Sequence, residues 1–137
     1  MIYKLSELVE KAKNKPKRRI AVAAAEDEHV LMSLKIAVEE KVVEPVLTGN
    51  KAEIERIAQI IDFNLNGIEI IHNEKGADIS AQIAVSMIKN GGADVLMKGF
   101  VSTGALLKAV LDKENGLRKG NILSHMAVFE SPYYHKL

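Results

Sequence analysis

A glycine-bracketed segment, KGFVSTG, holds the residue types that bind a phosphate group. Gly99 and Gly104 let backbone amides approach a ligand closely, and the hydroxyls of Ser102 and Thr103 can donate hydrogen bonds or cap a helix. Lys98 adds a full positive charge to the partial charge at a helix N-terminus. These residues predict an anion site, although a Ser-Thr-Gly turn before a helix is also typical of a simple cap.

The spacing within this segment differs from the two best-known phosphate-binding motifs. A P-loop requires G-x-x-x-x-G-K-[ST], and dinucleotide-binding folds use G-x-G-x-x-G. The segment matches neither pattern in full. Nucleotide hydrolysis and dinucleotide binding are therefore disfavoured.

Other polar residues with possible chemistry lie downstream and in two loops. A glycine-punctuated basic loop, residues 115–121, is followed by Ser124 and His125 at the start of an apolar run. Neighbours on a strand point to opposite faces, so Ser124 and His125 do not form a catalytic pair, and their residue-level interpretation is structural. His29 and His72 lie in loops without metal-ligand spacing, and we predict no metal.

Regular α/β alternation must position these residues. Near-continuous apolar runs, typical of strands covered on both faces, occupy Ile20–Ala25, Glu44–Leu47, Ile68–Ile71, Asp94–Met97 and Met126–Phe129. Helical stripes fill the gaps and begin near Leu5, Val30, Ile54, Ile79 and Leu106. This alternation predicts a parallel sheet with right-handed crossovers. Ligands bind outside the carboxyl ends of such strands, which selects the loops at residues 26–29, 48–50, 72–74 and 98–104.

Composition limits the class of protein. The chain has 137 residues, 47% hydrophobic and 27% charged, with a net charge of +1 and no cysteine. This balance favours a cytoplasmic α/β domain without disulfides and gives no indication of a membrane or nucleic-acid partner. The basic cluster at residues 11–19 has no interleaved aromatic residues and is interpreted as a charged helix end.

The second half of the chain resembles the phosphate acetyl/butyryltransferase family, and its butyryltransferase branch in particular. The similarity rests on DVLMKG at residues 94–99, STGALLKAVL at 102–111, GLR at 116–118 and SHMAVFE at 124–130. The opening helix, the run Arg19–Ala25 and the sequence TGN at 48–50 are similar to the family more loosely.

The resemblance implies a three-layer α/β/α fold like that of isocitrate and isopropylmalate dehydrogenases, with two domains and the active site between them. It implies reversible transfer of an acyl group between coenzyme A and phosphate, usually by a homodimer. Coenzyme A is then a substrate, and no permanently bound cofactor is expected. Lys98, Ser102 and Thr103 would be catalytic, whereas Gly99, Gly104, Arg118, Ser124 and His125 would bind substrate or phosphate.

Chain length is the departure from the family pattern. Residues 1–137 are expected to form one N-terminal α/β domain without the second domain, and such a chain is expected to be inactive or nearly so. The alternative is a binding module that retains an anion or a coenzyme A-like ligand without turnover. A dehydrogenase on the related fold ranks last, because no nicotinamide or metal-carboxylate signature is recognisable.

Overall fold

Four parallel strands form one sheet in the computed structural model, which describes residues 2–120, 123–124, 126–135 and 137. The strands are β1 (Arg18–Ala23), β2 (Val43–Gly49), β3 (Glu69–His72) and β4 (Val95–Lys98). The helices are α1 (Leu5–Lys13), α2 (Glu28–Glu39), α3 (Lys51–Ile60), α4 (Ala77–Lys89) and α5 (Thr103–Val110). The predicted parallel α/β architecture is confirmed.

Helices cover both faces of the sheet, because alternate residues of β1 point to opposite sides. On one side α2 and α3 pack on the sheet through a cluster that includes Val22, Leu31, Leu34, Leu47, Ile54 and Ile57. On the other side α4 and α5 pack through Ala21, Ala23, Ala81, Ala84, Val85 and Ala109. The expected three-layer arrangement is therefore present.

The strand order, β3-β2-β1-β4, places a topological switch between β1 and β4. The chain moves from β1 to β2 and β3 on one side, and then returns to pair β4 with the other edge of β1, in the register Ala23 to Lys98. In open parallel sheets a crevice for ligands forms at this point, outside the carboxyl ends of the strands. The end of β4 is thus the natural position for a binding loop.

Short polar side chains cap the N-termini of α2 and α3. Val30 N–H donates to Asp27 Oδ1 at 3.0 Å at the start of α2, and Glu53 N–H donates to Asn50 Oδ1 at 3.2 Å at the start of α3. The Glu53 carboxylate does not complete a capping box with Asn50; it accepts hydrogen bonds from Arg56, which lower the pKa of Glu53.

Two glycines follow the end of α4. α4 ends at Lys89, Gly91 has φ of +74°, and Gly92 N–H donates to Met87 O at 2.8 Å. This left-handed residue and the bond back into the last turn are typical of a helix C-terminus.

The fifth strand predicted at Met126–Phe129 is wrong. The only β pairing among the described residues after α5 is an isolated bridge between Ser131 and Tyr134. Met126 is 85% exposed and Phe129 is 67% exposed. An apolar run becomes a buried strand only where two layers cover it, and these side chains remain exposed in the described fold.

The basic cluster near β1 is engaged in ion pairs. Lys13 bonds to Glu10 and Glu40, which raise the pKa of Lys13, and Arg19 pairs with Glu69. These pairs support the interpretation of a charged surface. Within the described part of the chain, no helix is long and apolar enough to cross a membrane.

Candidate functional site

The loops that follow the strands are joined by backbone hydrogen bonds along the carboxyl edge of the sheet. Gly99 N–H donates to Ala23 O at 2.9 Å, and Phe100 N–H donates to Ala24 O at 2.6 Å. On the other side of β1, Ala25 N–H donates to Thr48 O at 2.9 Å. These bonds fix the exit of β4 against the exit of β1, at the switch point.

Gly99 is a glycine because the chain passes directly against β1 at this position. A Cβ atom at residue 99 would lie 2.1 Å from Ala24 O and 2.4 Å from Ala23 O. Ala24 itself has φ of +57°, which turns its carbonyl toward the loop and explains why β1 ends at Ala23, before the predicted end at Ala25. Close packing of two backbones therefore sets the shape of the loop.

The next residues start α5. Ala105 N–H donates to Ser102 Oγ at 3.1 Å, so Ser102 is the N-cap and Thr103 is the first helical residue. Ser102, Thr103 and Gly104 are exposed, and a Cβ atom at residue 104 would meet no heavy atom within 4 Å. The cap uses only the acceptor capacity of Ser102, so its hydroxyl proton and the Thr103 hydroxyl can still donate to a ligand.

Lys98 supplies the positive charge of this loop. It is the last residue of β4, its side chain is exposed, and its Nζ lies 3.4 Å from Gly99 O. Among the described residues, no carboxylate forms an ion pair with Lys98, whereas Lys13, Lys51, Arg18, Arg19 and Arg56 all have carboxylate partners. An unpaired ammonium beside a helix N-terminus is suited to an anion.

Arg118 does not join this group. It lines a cavity of about 400 Å³ with Val110 and Leu117 at the C-terminal end of α5, and its Nε donates to Gly120 O at 2.9 Å. Ser102 and Thr103 stand at the other end of α5, about 12 Å away for a helix of this length. The structure therefore separates Arg118 from the loop at residues 98–104.

Of the two neighbouring residues Ser124 and His125, the structure describes only Ser124. Ser124 is exposed and lies in an irregular segment rather than at the start of a strand. His125 lies outside the described residues. The argument that Ser124 and His125 point to opposite faces of a strand therefore no longer applies, because the described residues after Ser124 form no strand.

The two histidines predicted in loops lie in regular elements instead, His29 in the first turn of α2 and His72 at the end of β3. His72 Nδ1 accepts from Lys51 N–H at 3.2 Å, and its Nε2 lies 3.2 Å from Glu74 Oε1. In the part of the chain that the structure describes, no group of three His, Cys, Asp or Glu residues is placed to hold a metal ion.

Two features of this edge were not predicted, although their loops were selected as part of it. Thr48 is fully buried, and its Oγ1 lies 2.8 Å from Val22 O and 3.1 Å from Ser80 O. Asn73 Nδ2 donates to Ser80 Oγ at 2.9 Å, so polar side chains tie α4 to β1 and β2. The second feature is the Glu26 carboxylate, which packs against Gly49. Neither contact has a signature in local spacing, because the partners are distant in sequence.

A cavity of about 680 Å³ lies between α4 and α5. Its lining includes Asp78 and Ala105, from the first turns of these helices, together with Ile83, Met87 and Lys108. Residues 98–104 are not part of that lining. We place the candidate site at residues 98–104, because glycine, hydroxyl and ammonium groups lie within this one short segment.

Comparisons with known proteins bear on the family of the chain. Residues 4–83 match the family model described as Phosphate acetyl/butaryl transferase. The phosphate butyryltransferase of Clostridium acetobutylicum is 39% identical over 137 residues, covering 100% of this chain and 45% of that protein. The phosphate butyryltransferase of Clostridium beijerinckii is 41% identical over 132 residues, covering 95% of this chain and 43% of that protein.

A solved structure gives the same picture of the fold. A phosphotransacetylase from Streptococcus pyogenes superposes with a TM-score of 0.66 at 18% identity, covering 79% of this chain and 42% of that chain. At this identity the likeness shows the fold alone. The chain spans less than half the length of the relatives that it matches.

Proposed function

Because this chain belongs to the phosphate acetyl/butyryltransferase family, we propose that it carries the phosphate and acyl-phosphate site of a phosphate acyltransferase. The reaction is the reversible conversion of acyl-CoA and phosphate into acyl phosphate and coenzyme A. The substrates are small molecules, and coenzyme A is a substrate rather than a bound cofactor.

The observation that carries this proposal is the unpaired Lys98 ammonium at the switch point, directly before the N-terminus of α5. A phosphate there would meet the full charge of Lys98 and the hydroxyls of Ser102 and Thr103. It would also meet backbone amides at the start of α5, near Gly104, which carries no side chain that could block it. The amides of Gly99 and Phe100 donate to Ala23 O and Ala24 O instead. Lys98, Ser102, Thr103 and Gly104 lie within one short segment of the chain.

The same groups suit the chemistry of acyl transfer. An oxygen of hydrogen phosphate attacks the thioester carbonyl, the carbon–sulfur bond breaks, and the proton of hydrogen phosphate ends on the departing coenzyme A sulfur. Negative charge gathers on the carbonyl oxygen and the phosphoryl group during this step. Positioned donors such as Lys98 lower its barrier, and one donor of this kind is worth about 3 kcal/mol. Both reacting groups belong to the substrates, so no protein nucleophile is needed.

Further parts of the proposal come from the family resemblance. Arg118, Ser124 and His125 are proposed to bind substrate, although Arg118 lies at the far end of α5 in this structure. Residues 1–137 are proposed to be the first of two domains in a cytoplasmic homodimer whose active site lies between the domains.

The test is a coupled coenzyme A–phosphate exchange assay with acetyl-CoA and butyryl-CoA, combined with calorimetry of phosphate binding. We expect phosphate to bind this chain and Lys98→Ala to weaken that binding about tenfold or more, since a bond to a charged group is lost. Lys113→Ala, which removes an equal charge from the turn after α5, is the control and should bind phosphate like the parent.

The assay also separates the two candidate functions. The second candidate is binding of an anion or coenzyme A-like ligand without turnover. Turnover would support the acyltransferase, and phosphate binding without turnover would support the binding module. Equal phosphate affinity of the parent and Lys98→Ala would contradict the placement of the site.

A further inference from the structure

The carboxylate of Glu26 rests in an unusual place at the carboxyl edge of the sheet. It packs onto Gly49 so closely that a Cβ atom there would lie 1.8 Å from Glu26 Oε2. Gly49 has φ of +143°, and its lack of a side chain creates the space that the carboxylate fills. Glycine at residue 49 and glutamate at residue 26 therefore form one unit.

Glu26 Oε2 is buried without a hydrogen-bond partner in the described part of the chain. Burial of a polar atom without a partner destabilises a fold, and a carboxylate is among the groups for which this penalty is greatest. Native structures contain few such atoms, and each calls for an explanation. The buried oxygen of Glu26 therefore lowers the stability of the fold, and no contact within the described residues offsets this cost.

The usual structural roles of an acidic residue at this position are taken by a neighbour. Asp27, not Glu26, caps α2 by accepting from Val30 N–H. The described residues provide no cluster of ligands for a metal ion near Glu26. A carboxylate that neither caps a helix, nor pairs, nor binds a metal remains free to accept a hydrogen bond from a ligand.

We infer that Glu26 is a substrate-binding residue whose carboxylate accepts a hydrogen bond from an amide N–H of the pantetheine arm of coenzyme A. This inference rests on the function proposed above and adds a second contact point to the same edge. The side chain is partly exposed, so rotation about its own bonds can bring the carboxylate out from Gly49 to a ligand. This rotation costs little energy, because Oε2 of Glu26 has no hydrogen bond to break at Gly49.

The distance along the sheet fits this ligand. Lys98 ends β4 and Gly49 ends β2, with β1 between them, so the two positions are about 10 Å apart at the usual strand spacing. In acyl-CoA the sulfur is followed by an ethylene spacer, a first amide, a further short spacer and a second amide. With the reacting groups at Lys98, an extended pantetheine arm places amide N–H donors over β1 and β2.

A phosphate group is the less suitable partner for Glu26. A carboxylate repels an anion, and a phosphate is too small to contact Lys98 and Glu26 together across two strand spacings. A neutral amide donor meets neither objection. Two positions with different chemistry, an ammonium for the phosphate and a carboxylate for the amide, would orient a long substrate along one line.

The experiment compares pantetheine and inorganic phosphate as probes of the parent chain, Glu26→Ala and Glu26→Gln. Binding is followed by nitrogen-15 NMR, with the amides of Gly49 and Asn50 as reporters. We expect Glu26→Ala to weaken pantetheine binding about tenfold while phosphate affinity stays the same, since a hydrogen bond to a charged group is lost. Glu26→Gln retains an acceptor oxygen and should keep part of the affinity.

A melting temperature gives a readout that a structural role would move in the opposite direction. Removing a carboxylate oxygen that is buried without a partner should leave the melting temperature of Glu26→Ala equal or higher. Glu44→Ala, an exposed glutamate near the opposite end of β2, is the matched control and should bind pantetheine like the parent. A lower melting temperature with unchanged pantetheine affinity would show that Glu26 is structural and overturn the inference.

The remaining outcomes distinguish this inference from the proposed function. If phosphate binds in a Lys98-dependent way but the parent does not bind pantetheine, the Glu26 inference fails and the proposed phosphate site stands. If Glu26→Ala changes the affinity for phosphate instead, the carboxylate serves the anion and the inference is again wrong. If the parent binds neither probe, both proposals fail.

Discussion

At the scale of single residues, the two glycines of the loop at residues 98–104 have different physical reasons. Gly99 is buried, and a Cβ atom there would collide with the carbonyl oxygens of Ala23 and Ala24. Gly104 is exposed, lies in the first turn of α5, and has open space around the position of a Cβ atom. The fold requires the first glycine, whereas it only tolerates the second.

We therefore expect opposite effects of alanine at these two positions. Gly99→Ala should lower the free energy of unfolding by about 2 kcal/mol or more, because backbone on both sides must move. Gly104→Ala should raise it by about 0.4 to 1 kcal/mol, because alanine restricts the unfolded chain and suits a helix. Urea unfolding of both variants measures the difference.

Phosphate binding by the same variants tests the ligand role of Gly104. A stabilised Gly104→Ala variant with weaker phosphate binding would show that the missing side chain serves the ligand. Destabilisation by Gly104→Ala equal to that by Gly99→Ala would contradict the structural distinction.

Residue types could be predicted for part of the site only. Lysine, serine and glycine in one short segment indicate anion chemistry without any structure, and the structure places Lys98 at the end of β4 and Ser102 at the N-cap of α5. The contact of Glu26 with Gly49 depends on how β1 and β2 pair and on the left-handed turn at Ala24. Sequence periodicity contains no information on such a contact.

At the scale of elements, the turn after α5 is held by one side chain. Asp112 Oδ1 accepts from Glu114 N–H at 3.0 Å and from Asn115 N–H at 2.7 Å. Lys89, from the end of α4, donates to Glu114 O and so joins this turn to a second helix. The backbone bonds from Asn115 and Glu114 lower the pKa of Asp112, with a smaller contribution from the charge of Lys89.

This lowered pKa predicts the sign of a pH dependence. A carboxyl group with a lower pKa in the folded state stabilises the fold above its unfolded pKa, and this contribution disappears as the pH falls through the folded value. Asp112→Asn keeps an acceptor oxygen but cannot titrate. We expect its urea midpoint to be lower at pH 7 and to fall less steeply below about pH 4 than that of the parent.

The control for this prediction is Glu39→Gln, an exposed residue at the end of α2. Its urea midpoint should follow the parent through the acid range. Parallel acid profiles for the parent and Asp112→Asn would show that the turn does not depend on the charged carboxylate.

Elements with strong periodicity could be predicted from the sequence, and one without a covering layer could not. The stripes of α2 to α5 and the runs of β1 to β4 each have an apolar face that a neighbouring layer buries in the structure. The run at Met126–Phe129 has the same composition but no such neighbour among the described residues. Composition indicates the capacity to form a strand, whereas burial decides whether the strand forms.

At the scale of the whole molecule, apolar side chains remain exposed on one region of the surface. α1 contains no buried residue, and Leu5, Leu8 and Val9 are between 37% and 42% exposed. The segment at residues 126–134 lies beside it, since Leu5 N–H donates to Glu130 Oε1 at 2.5 Å. Groups of exposed apolar side chains favour association of soluble proteins.

We therefore expect this chain to self-associate as its concentration rises, because burial of this surface is favourable and a net charge of only +1 offers little repulsion. Light scattering should give an average mass that increases with concentration, and Phe129→Ser should reduce the increase. Ile60→Ser is the matched control, since Ile60 is 64% exposed on α3 and Phe129 is 67% exposed. An isolated apolar residue buries little area in a contact, so Ile60→Ser should associate like the parent.

A parent chain that stays monomeric at every concentration would contradict the prediction, and an equal effect of both variants would show that the region around α1 is not the surface of contact.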